Sequence, residues 1–266
     1  MTETSTKPLA LVTGASSGIG LELAKQFGQH DFDLLICAED AGIESAAAQL
    51  RATGADVRTV QADLSTYDGV EQLCAAALAG RPVSAAALNA GVGLGGPFLE
   101  TDLAREIRMI DLNITGTVHL AKRLLPDMVA RGEGSVLVTS SIASTMPGSF
   151  QSVYNATKSF LQSWAQALQE ELKDTDVTIT SLMPGPTDTN FFHRAEMDDT
   201  RVGKSDAMKD DAVQVAEQGF QALMKGRDKI VAGSAMTKAQ GVANKVLPDR
   251  LKGVAHRGMA EPQDDK

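Results

Sequence analysis

Short apolar runs alternate with longer amphipathic stretches along almost the whole chain. The runs at 8–13, 32–38, 56–61, 84–89, 134–140, 176–182 and 228–232 have the length and composition of strands. Between them, apolar positions recur at helical spacing over 18–29, 43–53, 66–79, 102–131, 152–173 and 208–225. Alternation of this kind predicts right-handed βαβ units, and hence an α/β fold: a doubly wound parallel sheet of about seven strands with helices on both faces. No repeat stands out beyond the βα unit and no linker splits the chain, so residues 1–266 are expected to form one domain.

Two segments break the alternation. Residues 190–207 are polar and irregular and follow Pro184-Gly185-Pro186, which cannot continue a central strand. In an open α/β sheet, ligands bind beyond the carboxyl ends of strands. The segment leaves such an end and is expected to act as a substrate lid; a mobile surface loop is the plainer alternative. Residues 235–260 form a basic amphipathic extension, with Lys238, Lys245, Arg250, Lys252 and Arg257 against Asp249. Val242, Val246, Leu247, Leu251 and Val254 recur at helix-like spacing around Pro248. Such a stretch can lie on an anionic membrane, but the expectation is that its apolar side packs on its own subunit or on a twin. Residues 261–266 are expected to be disordered.

Composition narrows the class. The apolar content of 43% suits a sizeable core, and a net charge of −9 argues against nonspecific nucleic-acid binding. The polar start lacks a signal-peptide core and no apolar run approaches a membrane span. Cys37 and Cys74 make no disulfide framework and are expected to be buried thiols; no His/Cys cluster has metal-ligand spacing. A soluble cytoplasmic protein without a metal is the expectation.

The candidate chemistry lies in two motifs. Thr13-Gly14-Ala15-Ser16-Ser17-Gly18-Ile19-Gly20 follows the first apolar run and precedes a helical pattern. Strand, glycine-rich turn and helix are the context that a dinucleotide phosphate requires. Glycine allows a tight turn and close backbone approach, and the helix start offers free N–H groups to an anion. The second motif is Tyr154-Asn155-Ala156-Thr157-Lys158. In a helix the phenol and the ammonium share a face, and a nearby cation favours the phenolate. Tyr154 beside Lys158 is then an acid/base for an alcohol or ketone, with Ser141 upstream to orient the substrate oxygen. An ordinary pair on a helix surface is the alternative.

These motifs, with Asp63-Leu64, Asn89-Ala90-Gly91, Asn113 and Pro184-Gly185 in the same order and spacing, resemble the short-chain dehydrogenases/reductases from about Pro8 to Gly233. Leu88 departs from that family, which often carries a second Asn there. The C-terminal third is similar to a bacterial subgroup of undefined substrate. The resemblance implies a Rossmann-type sheet of order 3-2-1-4-5-6-7. It also implies a nicotinamide-dependent oxidoreductase interconverting a secondary alcohol and a ketone on a small, neutral or apolar molecule. The catalytic set would be Asn113, Ser141, Tyr154 and Lys158. Tyr154 would exchange the proton, and Lys158 would lower its pKa and hold the nicotinamide ribose. Asn113 would hold a water, or else kink its helix by bonding a backbone carbonyl.

The implied cofactor contacts begin with Gly14, Ser16, Ser17, Gly18, Ile19 and Gly20. Asp63 and Leu64 would lie at the adenine, Asp63 alternatively capping the next helix. Asn89, Ala90 and Gly91 would pass beneath the ribose, Asn89 alternatively bracing a neighbouring strand. Tyr154, Lys158, Pro184, Gly185, Thr187 and Thr189 would complete the set, the two threonines alternatively being turn hydroxyls. Glu39, at the end of the second strand, can accept hydrogen bonds from a ribose diol but repels a 2′-phosphate. NAD is therefore favoured and NADP is the second choice; Glu39 turned to solvent is the counter-reading. Leu94, Phe98, Met146, Phe150, Phe191 and Phe192 are candidate pocket residues, and no arginine clamp is evident. A 3-oxoacyl thioester reductase and a non-catalytic dinucleotide sensor are the other functions considered. Members of the family commonly pair through long helices. Phe160, Leu161, Trp164, Leu168 and Leu172 offer surplus apolar surface for a homodimer or homotetramer.

Overall fold

The computed structural model describes residues 6–244 and 246–263. Seven strands carry the sheet: β1 (Leu9–Thr13), β2 (Asp33–Ala38), β3 (Val57–Gln61), β4 (Val83–Leu88), β5 (Gly134–Thr139), β6 (Val177–Pro184) and β7 (Lys229–Ala232). They pair in parallel throughout, in the order β3-β2-β1-β4-β5-β6-β7. The helices between them are α1 (Gly18–Gln29), α2 (Gly42–Arg51), α3 (Tyr67–Leu78), α4 (Leu103–Ile110), α5 (Thr117–Arg131) and α6 (Ser152–Glu171). Beyond β6 come α7 (Phe191–Arg194), α8 (Arg201–Lys204), α9 (Ala212–Met224), α10 (Ala235–Ala243) and α11 (Asp249–Ala260).

Burial on both faces explains why the inner strands read as unbroken apolar runs. In β1, Leu9 and Leu11 enter a core with α3, α5 and α6, while Ala10 and Val12 enter a second core with α1, α2 and α9. The edge strands differ: Arg58 and Gln61 of β3 and Lys229 of β7 are exposed. The chain moves outward through β1, β2 and β3 and then returns to β4 beside β1. That reversal opens a crevice beyond the carboxyl ends of β1 and β4, where ligands bind in such sheets.

Three local departures from the sequence pattern bear on the crevice. The predicted helix 102–131 is continuous but widens into a π-helical stretch at Asp111–Gly116, between α4 and α5. Such stretches concentrate at functional sites. Gly116 permits it, because a Cβ there would lie 2.1 Å from the Leu64 carbonyl oxygen. The predicted helix 208–225 starts late, at Ala212. Asp210 is drawn into tertiary contacts instead, accepting from Ser234 N at 2.8 Å and Thr237 Oγ1 at 2.5 Å. The tail also differs from expectation. Pro262 bridges to Thr200, Gln263 N donates to Asp199 O at 3.2 Å, and Glu261 pairs with Arg257 at 2.7 Å. Pro262 and Gln263 thus contact the 190–207 segment, and Glu261 contacts α11; residues 264–266 lie outside the described residues.

Of the two packings expected for the basic extension, that on its own subunit does not hold for most of its apolar residues. Val242, Val246, Leu251 and Val254 are 64%, 80%, 56% and 64% exposed, so they do not pack on their own subunit. The buried side of α11 is built from His256 and Ala260, with Lys252 and Met259 partly covered. The reason is anchoring: Lys252 Nζ donates to Thr145 O at 3.2 Å and Asn244 Nδ2 to Thr145 Oγ1 at 2.9 Å.

Candidate active site

The glycine loop is shaped by backbone demands that only glycine meets. Gly14 and Gly18 adopt φ of +67° and +56°, and a Cβ on Gly20 would lie 2.1 Å from the Gly14 carbonyl oxygen. Thr13 Oγ1 fixes the loop's base, accepting from Asn89 N at 2.9 Å and Ala90 N at 3.0 Å. Ser17 precedes α1 in extended conformation without a side-chain cap, which leaves the first amides of the helix for an anion. Ser16 Oγ donates to Asp40 at 2.8 Å, closing the loop toward the end of β2.

A single cavity runs from this loop along the carboxyl ends of the strands. Gly14, Ser16, Ser17, Gly18, Ile19 and Gly20 border it first, then Glu39, Asp63, Leu64, Asn89, Ala90 and Gly91. Ser141, Tyr154, Lys158, Pro184, Gly185, Thr187 and Thr189 border the rest. Every candidate catalytic or cofactor-binding residue read from the sequence is therefore on its wall except Asn113. That residue is fully buried behind Gly91. Its Oδ1 accepts from Val92 N at 2.9 Å, and its Nδ2 donates to Val92 O and Thr157 Oγ1, each at 3.0 Å. The alternative reading, a residue of a helix irregularity bonding a backbone carbonyl, matches these contacts. Several wall residues also brace the fold. Asn89 Nδ2 donates to Thr13 O at 3.2 Å and its Oδ1 accepts from Thr139 Oγ1 at 3.1 Å. Thr187 Oγ1 donates to Gly185 O at 2.9 Å.

Tyr154 and Lys158 lie a turn apart in α6, as the spacing requires. Lys158 is 4% exposed; its Nζ donates to Thr139 O at 3.0 Å and lies 5.8 Å from the centre of the Tyr154 ring. Ser141 Oγ accepts from Ala143 N at 3.1 Å and donates to Pro184 O at 3.4 Å, on the same cavity wall as the phenol. Burial pushes the Tyr154 phenol up to about 12, with the Ser141 hydroxyl acting the other way. Burial also lowers the Lys158 ammonium to about 8. The expected lowering of the tyrosine by Lys158 does not emerge: desolvation dominates the shift and Ser141 is the group that opposes it. A Cβ on Gly91 would lie 3.2 Å from Lys158 Nζ, so this glycine keeps the space before the ammonium open.

At the opposite end of the cavity the sequence reading missed a partner. Arg108, from α4, reaches across to Glu39 at 2.5 Å and Asp63 at 3.1 Å. Burial raises the Asp63 carboxyl, but the Ser65 hydrogen bonds and the Arg108 cation together hold it below the usual range. The cap of α3 is Thr66, accepting from Gly69 N at 3.0 Å, rather than Asp63. The pairing of Arg108 depends on distance in space, 69 positions from Glu39, and no local pattern announces it.

The wide end of the cavity is apolar. Of the six candidate pocket residues, Met146, Phe191 and Phe192 line it, Leu94 is buried elsewhere and Phe98 is 60% exposed. Phe150 instead packs against the cluster of Phe192, Ala195, Met197, Val202 and Ala260 that supports the 190–207 segment. Phe191 stacks toward Tyr154 with ring centres 5.3 Å apart. Arg194 and Gln151 border the cavity, as do Gln240 of α10 and His256 and Met259 of α11. All five escaped the sequence reading, which took the opposite side of α11 for the packed one. The donor-rich cradle at the glycine loop, the open space before Lys158 and the continuous cavity between them fit a dinucleotide.

The sequence profile described as short chain dehydrogenase matches residues 8–200. Among similar proteins, retinol dehydrogenase 8 of Bos taurus is 34% identical over 189 residues, 68% of this chain and 59% of that protein. A 3-dehydrosphinganine reductase of Arabidopsis thaliana is 34% identical over 227 residues, 81% of this chain and 67% of that protein. A short-chain dehydrogenase from Sphingobium yanoikuyae, solved in complex with NADPH, superposes with a TM-score of 0.80 at 25% identity, covering 97% of this chain and 98% of its own. With the profile spanning most of the chain, and with this sheet order, the protein belongs to the short chain dehydrogenase family and is an oxidoreductase enzyme.

Proposed function

We propose that the protein interconverts a secondary alcohol and a ketone, with Tyr154 exchanging the proton at the substrate oxygen. The observation that carries this reading is the meeting of Tyr154, Ser141 and Lys158 on the wall of the cavity that begins at the glycine loop. A nicotinamide dinucleotide, when bound, supplies or accepts the hydride. Gly14, Gly18, Gly20 and the start of α1 would hold its phosphates, and Lys158 its nicotinamide ribose. Tyr154, a phenol at neutral pH with its pKa near 12, is ready to donate in the direction of reduction. Ser141 stands on the same wall as the phenol and would direct the substrate oxygen to it. Glu39 on the cavity wall supports NAD over NADP. Residues 190–207 serve as the substrate lid: Phe191, Phe192, Arg194 and Val202 form part of the wall. Met146, Phe191, Phe192 and Met259 on the wall favour a largely apolar substrate.

The test is a panel of secondary alcohols and ketones followed at the nicotinamide absorbance, with NAD(H) and NADP(H) in parallel. Tyr154→Phe should remove at least about 90% of turnover while dinucleotide affinity stays near the parent value. A variant retaining more than about a tenth of the activity would exclude Tyr154 as the acid/base.

A further inference from the structure

We infer that His256 forms a hydrogen-bond-accepting subsite in the substrate cavity, and that the substrate carries a hydroxyl or amide N–H besides its reacting oxygen. The inference rests on the alcohol–ketone reading for the reaction, and on separate observations for the subsite. His256 is 5% exposed and borders the cavity that holds Tyr154. Its Nδ1 lies 3.0 Å from the Ser149 carbonyl oxygen. A carbonyl only accepts, so Nδ1 carries the proton and Nε2 presents a lone pair. Burial lowers the imidazole pKa, which keeps that neutral form through the physiological range.

Among the described residues Nε2 has no hydrogen-bond partner, yet it is not sealed off from open space. An acceptor fixed at the cavity surface in this way is available to a donor on a bound ligand. The ring is also held in place. Lys252 binds Thr145 O at 3.2 Å, and Ser149 Oγ donates to Gly253 O at 3.4 Å, so α11 is strapped to the segment that follows Ser141. Met146, Phe191, Phe192 and Met259 surround the same space. In such walls one fixed acceptor discriminates strongly, since a ligand that covers it without a donor strands it away from water.

The probes are benzylacetone and its ortho, meta and para hydroxy derivatives, which share one skeleton and differ by a phenolic donor. With the full-length protein and each dinucleotide, at least one hydroxy isomer should have a KM about tenfold below that of benzylacetone, with kcat little changed. His256→Phe should erase that preference by raising KM for the favoured isomer alone, leaving dinucleotide affinity intact. His256→Gln, which keeps an acceptor, should restore part of it and guards against a folding defect in the first variant. No preference in the parent, or a preference that survives His256→Phe, overturns the subsite. Calorimetric binding of the same compounds to the dinucleotide complex reads the subsite without turnover. Hydroxyl-dependent binding without any oxidation or reduction would refute the alcohol–ketone reading and leave the subsite standing.

Discussion

Lys158 is kept as a cation where its surroundings disfavour charge. The fall of its pKa from 10.5 to about 8 corresponds to roughly 3 kcal/mol of desolvation, only partly offset by the Thr139 carbonyl. Lys158→Met should therefore abolish most turnover yet unfold at a higher denaturant concentration than the parent. The sign of the pH dependence follows from the lowered pKa. Between about 8 and 10.5 the unfolded chain binds more protons at this site, so the parent gains stability as pH rises through that window. The advantage of the methionine variant should shrink over the same window, which urea titrations at several pH values will read. Glu39 raises a second question at this scale, because its carboxylate is already engaged by Arg108. Glu39→Gln should remove one of the two carboxylates that hold Arg108, leaving Asp63, and so make Arg108 more available to a 2′-phosphate and raise the ratio of kcat/KM for NADP over NAD several-fold. An unchanged ratio would place Glu39 away from the ribose.

Elements were legible where local pattern and tertiary role agree. The inner strands show as apolar runs because both of their faces are covered, and the glycine loop shows because its steric demands are local. Elements were misread where a distant partner decides. The start of α9 slipped to Ala212 because Asp210 serves residues 24 and 27 positions away. The packed face of α11 was missed because it uses Lys252 and His256, while Leu251 and Val254 lie outside. The same reasoning hid Arg108 and His256 from the list of site residues. Asp210→Ala makes the point measurable. The carboxylate is 6% exposed and its residue also bridges to Thr187, so the substitution strands two donors beneath the cavity wall. It should destabilise the fold by about 2 kcal/mol or more and weaken dinucleotide binding as well. A stability loss with unaltered binding would separate Asp210 from the wall it supports.

Across the whole molecule, apolar surface remains uncovered. The α6 stripe is mostly consumed internally: Leu161 is 2% exposed, and Trp164, Leu168 and Leu172 pack partly on their own core, leaving Phe160 at 42%. The larger surplus is on and before α4, where Phe98, Leu99, Leu103 and Ile107 are 60%, 94%, 70% and 50% exposed. We predict that these residues face a second copy, in a two-fold pairing of α4 and α6 that would cover them. Light scattering should give a multiple of 28.0 kDa, and Ile107→Glu should return the protein to that mass without altering dinucleotide affinity. A parent that is already monomeric refutes the pairing.

The substrate wall includes Gln240 of α10 and His256 and Met259 of α11, whereas the glycine loop and the wall at Glu39, Asp63 and Gly91 come much earlier in the chain. Order of synthesis then acquires a meaning. At ordinary translation speeds the ribosome needs roughly ten to thirty seconds to pass from the cradle to α11. During that interval a growing chain has a loop for phosphate but no closed compartment for the compound to be oxidised or reduced. The phosphate loop is thus synthesised well before α10 and α11, which supply part of the wall of the substrate cavity.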